Sequence, residues 1–519
     1  MHDRGVLMET VLGINIGTTS TEGCLVNVQS GNVVSQCSVG YSPGFQNLDG
    51  VKNGAEQRSQ VWTDAAIRSA NEMVLAGNNL DAEVRAVAIS SMIGGLNIPV
   101  DRDFEPLRAV PIWLDRRAHR EAKAASDTLD SEHLGRVTGN VDISPSLGFT
   151  KLLWYMANDT ERFRRTRALL TPNGMIVKML TGEHVTDIVS LGAFGGVMDR
   201  SRMRVDDELL FQIAQIGSQL AGDRLELSPD LFGTIVGSDK VVGPVTAAGA
   251  GLSGLPEGIP VVASGLDASV ALLASGGREP GDNILMMGTS WSLGVLSNWT
   301  PNVPVSGMLH TPHVVGGDTM TFSMTGGPYT GGTAGFWMPE MVVRSSFAKL
   351  EGEAKMVPPG AGGITFLPYL MGDRTPLGQE NVTGAFLGLR ADHNRAHMFT
   401  AVLEGGVMLH EECMEDAARM GIELKTTRVV DSAYRSALWR SIIADVTGRP
   451  IMYHPDFPGI SYGDAMLAAL GSGMVSDDRI FKWVPPARTI EPTEDDNRKA
   501  AYGRARERYR RFRDILCDQ

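Results

Sequence analysis

Asp267 and the turn Gly288-Thr289-Ser290 share one stretch, SGLDASVALLASGGREPGDNILMMGTSWSLGV (264–295), and together they read as a base aimed at a phosphate. Apolar runs at 284–287 and 291–296 flank the turn, which predicts a hairpin whose glycine lets backbone N–H groups converge. Converging amides and hydroxyls make a nest for an anion. Asp267 follows the apolar run 259–263 and precedes the alanine-rich segment 268–274, so it falls at a strand-to-helix junction. A carboxylate there either meets a bound hydroxyl as general base or caps the helix, and the residues alone leave both roles open.

The same pattern occurs near the start of the chain. Residues 11–28, VLGINIGTTSTEGCLVNV, place Gly17, Thr18, Thr19 and Ser20 between two apolar strands. Two such hairpins half a chain apart predict a duplicated α/β architecture in which each half presents one phosphate-gripping turn to a shared cleft. Between them, PIWLDRR (111–117) groups Trp113, Asp115 and Arg117. An apolar wall beside a carboxylate and a guanidinium suits a polyol, and a salt-bridged turn is the equal alternative.

The elements that must position these residues alternate between strand-like and helix-like segments. Residues 60–76 have helical periodicity, 84–90 form a buried strand, and 91–101 break into a Gly-Gly loop. A helix begins at 147, and 180–187 (LTGEHVTD) stops one helix and starts a strand. The Gly- and Pro-rich stretch 249–260 marks a hinge, dividing the chain into domains 1–255 and 256–519. In the second half, a glycine cluster at 325–337 leads into a helix, and 360–375 is a strand followed by a polar loop. Residues 397–420 predict an amphipathic helix carrying Glu404. Residues 428–446 read as strand, turn and helix, and 498–516 as a basic helix whose charges form a solvated face.

Composition narrows the function classes. A chain of 519 residues, 43% hydrophobic, can bury more than one core. Its net charge of -13 argues against a nucleic-acid partner. Cys24, Cys37, Cys413 and Cys517 lack metal-ligand spacing, which fits free thiols in a reducing cytoplasm. No signal-like leader or long uncharged apolar run is present, so no membrane association is expected. Motifs of metalloproteases, P-loop NTPases and α/β-hydrolases are missing.

Taken in order, the motifs resemble the FGGY carbohydrate kinases, the xylulokinase- and glycerol-kinase-like group of the actin/hexokinase superfamily. The resemblance rests on GINIGTTST, PIWLDRR, LTGEHVTD, GLPEGIPVVASGLDAS, MMGTSWS, FLPYLMGDRTP with GAFLGL, LEGG, and SALWRSIIADVTGRPI. It implies two RNase-H-like domains with mixed sheets flanked by helices, closing over a sugar or polyol and ATP with Mg²⁺, and it allows a homodimer. Asp267 then matches the catalytic base. Thr18, Thr19 and Ser20 face the transferring phosphate, and Gly288, Thr289 and Ser290 the remaining phosphates. Gly332, Ser432, Ala433 and Ser436 fall on the nucleotide side, and Met92, Ile93, Gly94, Trp113 and Asp115 on the substrate side.

Three departures carry consequences. Asn15 stands where the family usually has an aspartate, leaving a weak, water-mediated hold on Mg²⁺. Residues 431–436 read Asp-Ser-Ala-Tyr-Arg-Ser where the family has a glycine-rich adenosine turn. Met92-Ile93 replaces the Met-His or Arg-Glu pair of the substrate loop, so a polar partner for one substrate hydroxyl is missing. The expected activity is ATP-dependent phosphorylation of a sugar or polyol hydroxyl. The alternative is a pseudokinase that binds sugar and has lost ATP use.

Overall fold

The computed structural model describes the chain outside residues 1–6, 43, 45, 48–53, 288–290, 299–306, 326–334, 336, 371, 374–376, 380–381, 420, 432–435 and 518–519. Its first sheet is built from β1 (Met8–Ile16), β2 (Ser20–Asn27), β3 (Val33–Gly40), β4 (Ala82–Ser91), β5 (Val241–Pro244) and β6 (Pro260–Val262), in the order β5-β6-β4-β1-β2-β3. β1 runs parallel to β4 and antiparallel to β2, and β6 runs parallel to β4. Both faces of β1 are covered, which is why its residues from Thr10 to Ile16 form a nearly unbroken apolar run and are all buried.

The second sheet repeats the plan. It contains β7 (Asn283–Met287), β8 (Trp291–Asn298), β9 (Met308–Pro312), β10 (Met320–Thr325), β11 (Thr427–Asp431), β12 (Ile451–Tyr453) and β13 (Arg488–Ile490), ordered β9-β10-β8-β7-β11-β12-β13. Its central strand β7 again has an antiparallel hairpin partner, β8, on one side and a parallel strand, β11, on the other. The duplicated hairpins read from sequence are therefore the centres of two like sheets. β6 pairs in the first sheet although it lies beyond the 255/256 division expected from the hinge-like stretch.

Helices α1 (Ser59–Asn78), α2 (Asp267–Ala274), α3 (Arg395–Arg419), α4 (Ala437–Thr447), α5 (Ile460–Gly471) and α6 (Asp496–Cys517) bear on the site or its frame. α3 is not the amphipathic helix expected: Glu404, His410, Glu411 and Glu412 are buried along with its apolar residues. The reason is α6, whose arginines reach across to it. Arg506 pairs with Glu411, Arg510 with Glu415 at 2.6 Å, and Arg513 with Glu412. Three arginines of the basic face expected to be solvated are thus paired with carboxylates of α3. Among the described residues, no helix is long and apolar enough to cross a membrane.

α5 lies in the chain between β12 and β13 of the second sheet yet packs on the first. It lies so close to β1 that a Cβ on Gly13 would stand 1.9 Å from the Ser461 carbonyl oxygen and 2.4 Å from the Ala465 nitrogen. Its Gly463 is equally tight against α2, where a Cβ would meet the Val270 carbonyl oxygen at 2.6 Å. These are backbone contacts that no rotamer change can relieve. Gly13→Ala should therefore cost about 3 kcal/mol or more, read as a lowered midpoint in chemical denaturation; an unchanged midpoint would contradict this packing.

Candidate active site

Three loops leave the carboxyl ends of the parallel strands β1, β4 and β6, the edge at which α/β sheets present ligands. After β1 comes the turn at Gly17, closed by Gly17 N–H to the Ser20 carbonyl at 2.9 Å. Tyr41 clamps it from outside, its hydroxyl donating to the Gly17 carbonyl at 3.1 Å. After β4, the Met92 N–H donates to the Ile16 carbonyl at 2.8 Å and the Ser91 N–H to the Gly265 carbonyl at 3.0 Å. The end of β4 thus ties the turn at Gly17 to the loop that carries Asp267.

Side chains reinforce the tie. Trp113 Nε1–H donates to Thr18 Oγ1 at 3.0 Å, and that hydroxyl in turn donates to Met92 Sδ at 3.4 Å. Met92, Ile93, Gly94 and Trp113 all line a cavity of about 510 Å³, as does Leu266, the residue before Asp267. Asp267 is half-buried as the first residue of α2, with its Oδ1 accepting the Ala268 N–H at 2.7 Å. The helix start is a position that favours negative charge. The residue that flanks the helix is Leu266, and it contributes no side-chain cap.

Asp115 departs from expectation. It is fully buried behind the cavity, and its carboxylate is taken by the Ala55 N–H at 2.7 Å and by Arg117 Nη2 at 2.5 Å. Arg117 continues to Glu56 at 2.9 Å and lies 4.7 Å from the Trp154 ring centroid. Asp115, Arg117 and Glu56 therefore build a buried ion-pair network that supports the loop, with Trp113 alone of the trio facing the cavity.

The cavity also holds polar residues for which the sequence reading assigned no role. Asn97, Asn140, Asp142, Ser144 and Ser190 reach it from the first half and Asp373 from the second. Asn140 clasps strand β9, accepting from His310 N–H at 2.7 Å and donating to its carbonyl at 3.0 Å. Asp187, in the LTGEHVTD motif, caps the short helix Ile188–Phe194 through the Ser190 N–H at 2.8 Å, and burial pushes its carboxyl above the ordinary carboxylate range. Only Asp373 sat in a motif that hinted at a site, since the others gain their meaning from partners distant in the chain.

A second cavity, of about 850 Å³, opens on the other side of the first turn. Asn15, Gly17 and Ser20 line it from the first half, facing Val430, Glu351 and Ser436 of the second. Thr19 is exposed at the turn. Ser436 caps α4 by accepting the Trp439 N–H at 3.0 Å and donates to Glu351 at 2.8 Å. Gly288, Thr289, Ser290, Gly332, Ser432 and Ala433 lie outside the described residues.

Asn15 is not placed to ligate Mg²⁺ directly. Ser90 Oγ donates to its Oδ1 at 3.0 Å, so the end left for the cavity is the amide nitrogen, a donor that cannot ligate Mg²⁺. Among the described residues, no group of three or more His, Cys, Asp or Glu is placed to hold a metal ion.

Two like sheets, each centred on a hairpin and joined across a cleft, define an actin/hexokinase-type two-domain protein. The chain belongs to the FGGY family of carbohydrate kinases: the family's N-terminal domain matches residues 10–274 and its C-terminal domain residues 284–472. It is 26% identical to a xylulose kinase of Bacillus subtilis (strain 168) over 471 residues, 90% of this chain and 89% of that one. A gluconokinase from the same strain is 24% identical over 510 residues, covering 93% and 92%. The crystal structure of xylulose kinase from Rhodospirillum rubrum superposes with a TM-score of 0.81 at 26% identity, over 98% of this chain and 99% of that one. A kinase structure from Brucella ovis gives 0.83 at 24% identity, over 98% and 99%, and so speaks for the fold.

The contact between Trp113 and Thr18 ties the first cavity to the turn after β1, so its loss should be felt in turnover. Trp113→Phe keeps the ring and removes the donor, and should lower phosphorylation turnover about 5- to 10-fold, the effect of one hydrogen bond of about 1 kcal/mol. Steady-state kinetics with the acceptor on which the wild type is most active check it, and unchanged turnover would contradict the coupling.

Proposed function

We propose that this carbohydrate kinase transfers the γ-phosphoryl group of ATP to a hydroxyl of a sugar, sugar acid or polyol held in the cavity lined by Met92, Ile93, Gly94 and Trp113. The observation that carries the reading is the convergence of the β1, β4 and β6 loops, which sets the Thr18 turn, the Met92 loop and the Asp267 loop at one sheet edge. Asp267 accepts the proton of the attacking hydroxyl as the new O–P bond forms, and ADP leaves with the electrons of the broken bond. Thr18, Thr19 and Ser20 donate to the phosphoryl group in flight, where positioning and charge matter more than covalent help.

The nucleotide occupies the second cavity, between the first turn and Ser436, and Gly288–Ser290 and Gly332 belong to its phosphate and base contacts by family resemblance. Magnesium arrives on the nucleotide's phosphates. Ile93 leaves an apolar patch opposite the acceptor, so the preferred substrate does not need a hydrogen bond there. The names of the relatives make D-xylulose and D-gluconate the first acceptors to try.

The test is ATP-dependent phosphorylation across a panel containing those two, glycerol and other pentuloses. Asp267→Asn should reduce turnover by about 10²- to 10⁴-fold, the usual worth of a general base, with nucleotide affinity retained. Turnover undiminished in that variant would remove Asp267 from the mechanism, and no turnover with any acceptor would remove the kinase reading for this chain.

A further inference from the structure

Asp464 is fully buried, belongs to α5, and has no part in the mechanism above. Its Oδ1 meets Ser264 Oγ at 2.6 Å and its Oδ2 meets Ser90 Oγ at 2.7 Å. Each serine guards a functional loop. Ser90 holds Asn15 from the neighbouring strand, and Ser264 begins the Ser264–Asp267 loop in a left-handed conformation, φ 54°, that a serine adopts only under constraint.

The donors can be counted. Ser90 has one hydroxyl hydrogen, and Asn15 Oδ1 can only accept, so that hydrogen goes to Asn15. The short contact from Ser90 to Asp464 Oδ2 then requires a proton on the acid. Ser264 donates to the other carboxyl oxygen. A continuous chain results, Ser264 to Asp464 to Ser90 to Asn15, in which every hydroxyl gives once. At its end stands Asn15, whose oxygen is taken by Ser90 and which lines the cavity assigned to the nucleotide phosphates.

We propose that Asp464 is a positioning residue: as a neutral acid it relays hydrogen bonds between Ser264 and Ser90, and so turns the Asn15 amide to face the phosphates as a donor. This rests on the kinase reading of the cleft. Ionising Asp464 would draw the Ser90 hydrogen to itself, and Asn15 would have to reverse and offer its oxygen to the cavity. The surroundings favour the neutral form, since burial raises the carboxyl well above the ordinary range and the charge of Asp267 raises it further. The other titratable neighbour is Cys24, which burial keeps as a thiol, and among the described residues no cationic side chain contributes to the Asp464 environment.

Asp464→Asn supplies one donor and one acceptor in the same shape and should leave phosphoryl transfer within about threefold of wild type. Ser90→Ala and Asp464→Ala break the relay and should lower kcat by on the order of 10²-fold, the worth of one preorganised donor to a developing charge, with Mg·ATP affinity by calorimetry little changed. If Asp464→Asn is as damaging as Asp464→Ala, the charge is what matters and the proposal is wrong; it is equally wrong if Ser90→Ala is harmless. A second measurement stands apart from activity. A carboxyl neutral only when folded makes the wild type lose stability as pH rises from its unfolded value towards its folded one, so the stability gained by Asp464→Asn should grow between pH 5 and pH 8. A gain independent of pH would overturn the neutral relay, even where no acceptor were ever found.

Discussion

Between β1 and α5 there is no room for a side chain, and most of the site depends on that fact. Gly13 lets a helix that lies between two strands of the second sheet in the chain press its backbone onto the central strand of the first. From that seat α5 reaches Ser90 and Ser264, and α2 is fixed against its other flank through Gly463. The strand that leads into the Gly17 turn and the loop that carries Asp267 are thus registered against one helix. Phosphoryl transfer asks mainly for correctly placed donors and a correctly placed base, so the packing contact is also the chemical requirement.

Polar groups in this region are buried in closed networks. Asp115, Asp187 and Asp464 are all buried carboxyls, yet they are satisfied in different ways: by a guanidinium and an amide, by a helix start with neutral partners, and by two serine hydroxyls. A buried acid without its partners would be costly, and with them it fixes a loop in one arrangement. Each of the three stands behind a different wall of the cleft: the Trp113 loop, the Ser190 helix, and the Asn15–Asp267 junction. The second half uses the same device in the ladder from α6 to α3, which encloses Glu411 and Glu412.

Much was legible in the residues alone. The hairpins at Gly17 and at Met287–Trp291, the strand over 84–90, the helix after Asp267 and the strand and helix on either side of residues 432–435 all follow from local apolar patterning and turn chemistry. Thr18, Met92, Ile93, Gly94 and Trp113 were nameable because each sits in a motif beside such an element. Asp115 stays open between two roles in the sequence, because a carboxylate beside an arginine looks the same whether it faces a ligand or a buried partner; the structure gives it the ion-paired role. α3 was misread as amphipathic, because its carboxylates become interior only once α6 covers them.

The sequence by itself determined the local conformations, the duplication and the family, since these depend on residues near one another in the chain. Only the tertiary structure decided which end of the Asn15 amide faces the cleft, that Asp464 stands behind it, and that Asn140 and Asp373 share the cavity lined by Trp113. Those outcomes depend on hydrogen bonds between residues far apart in sequence, such as Ser90 and Asp464, and the orientation of a buried donor is set by what packs against it.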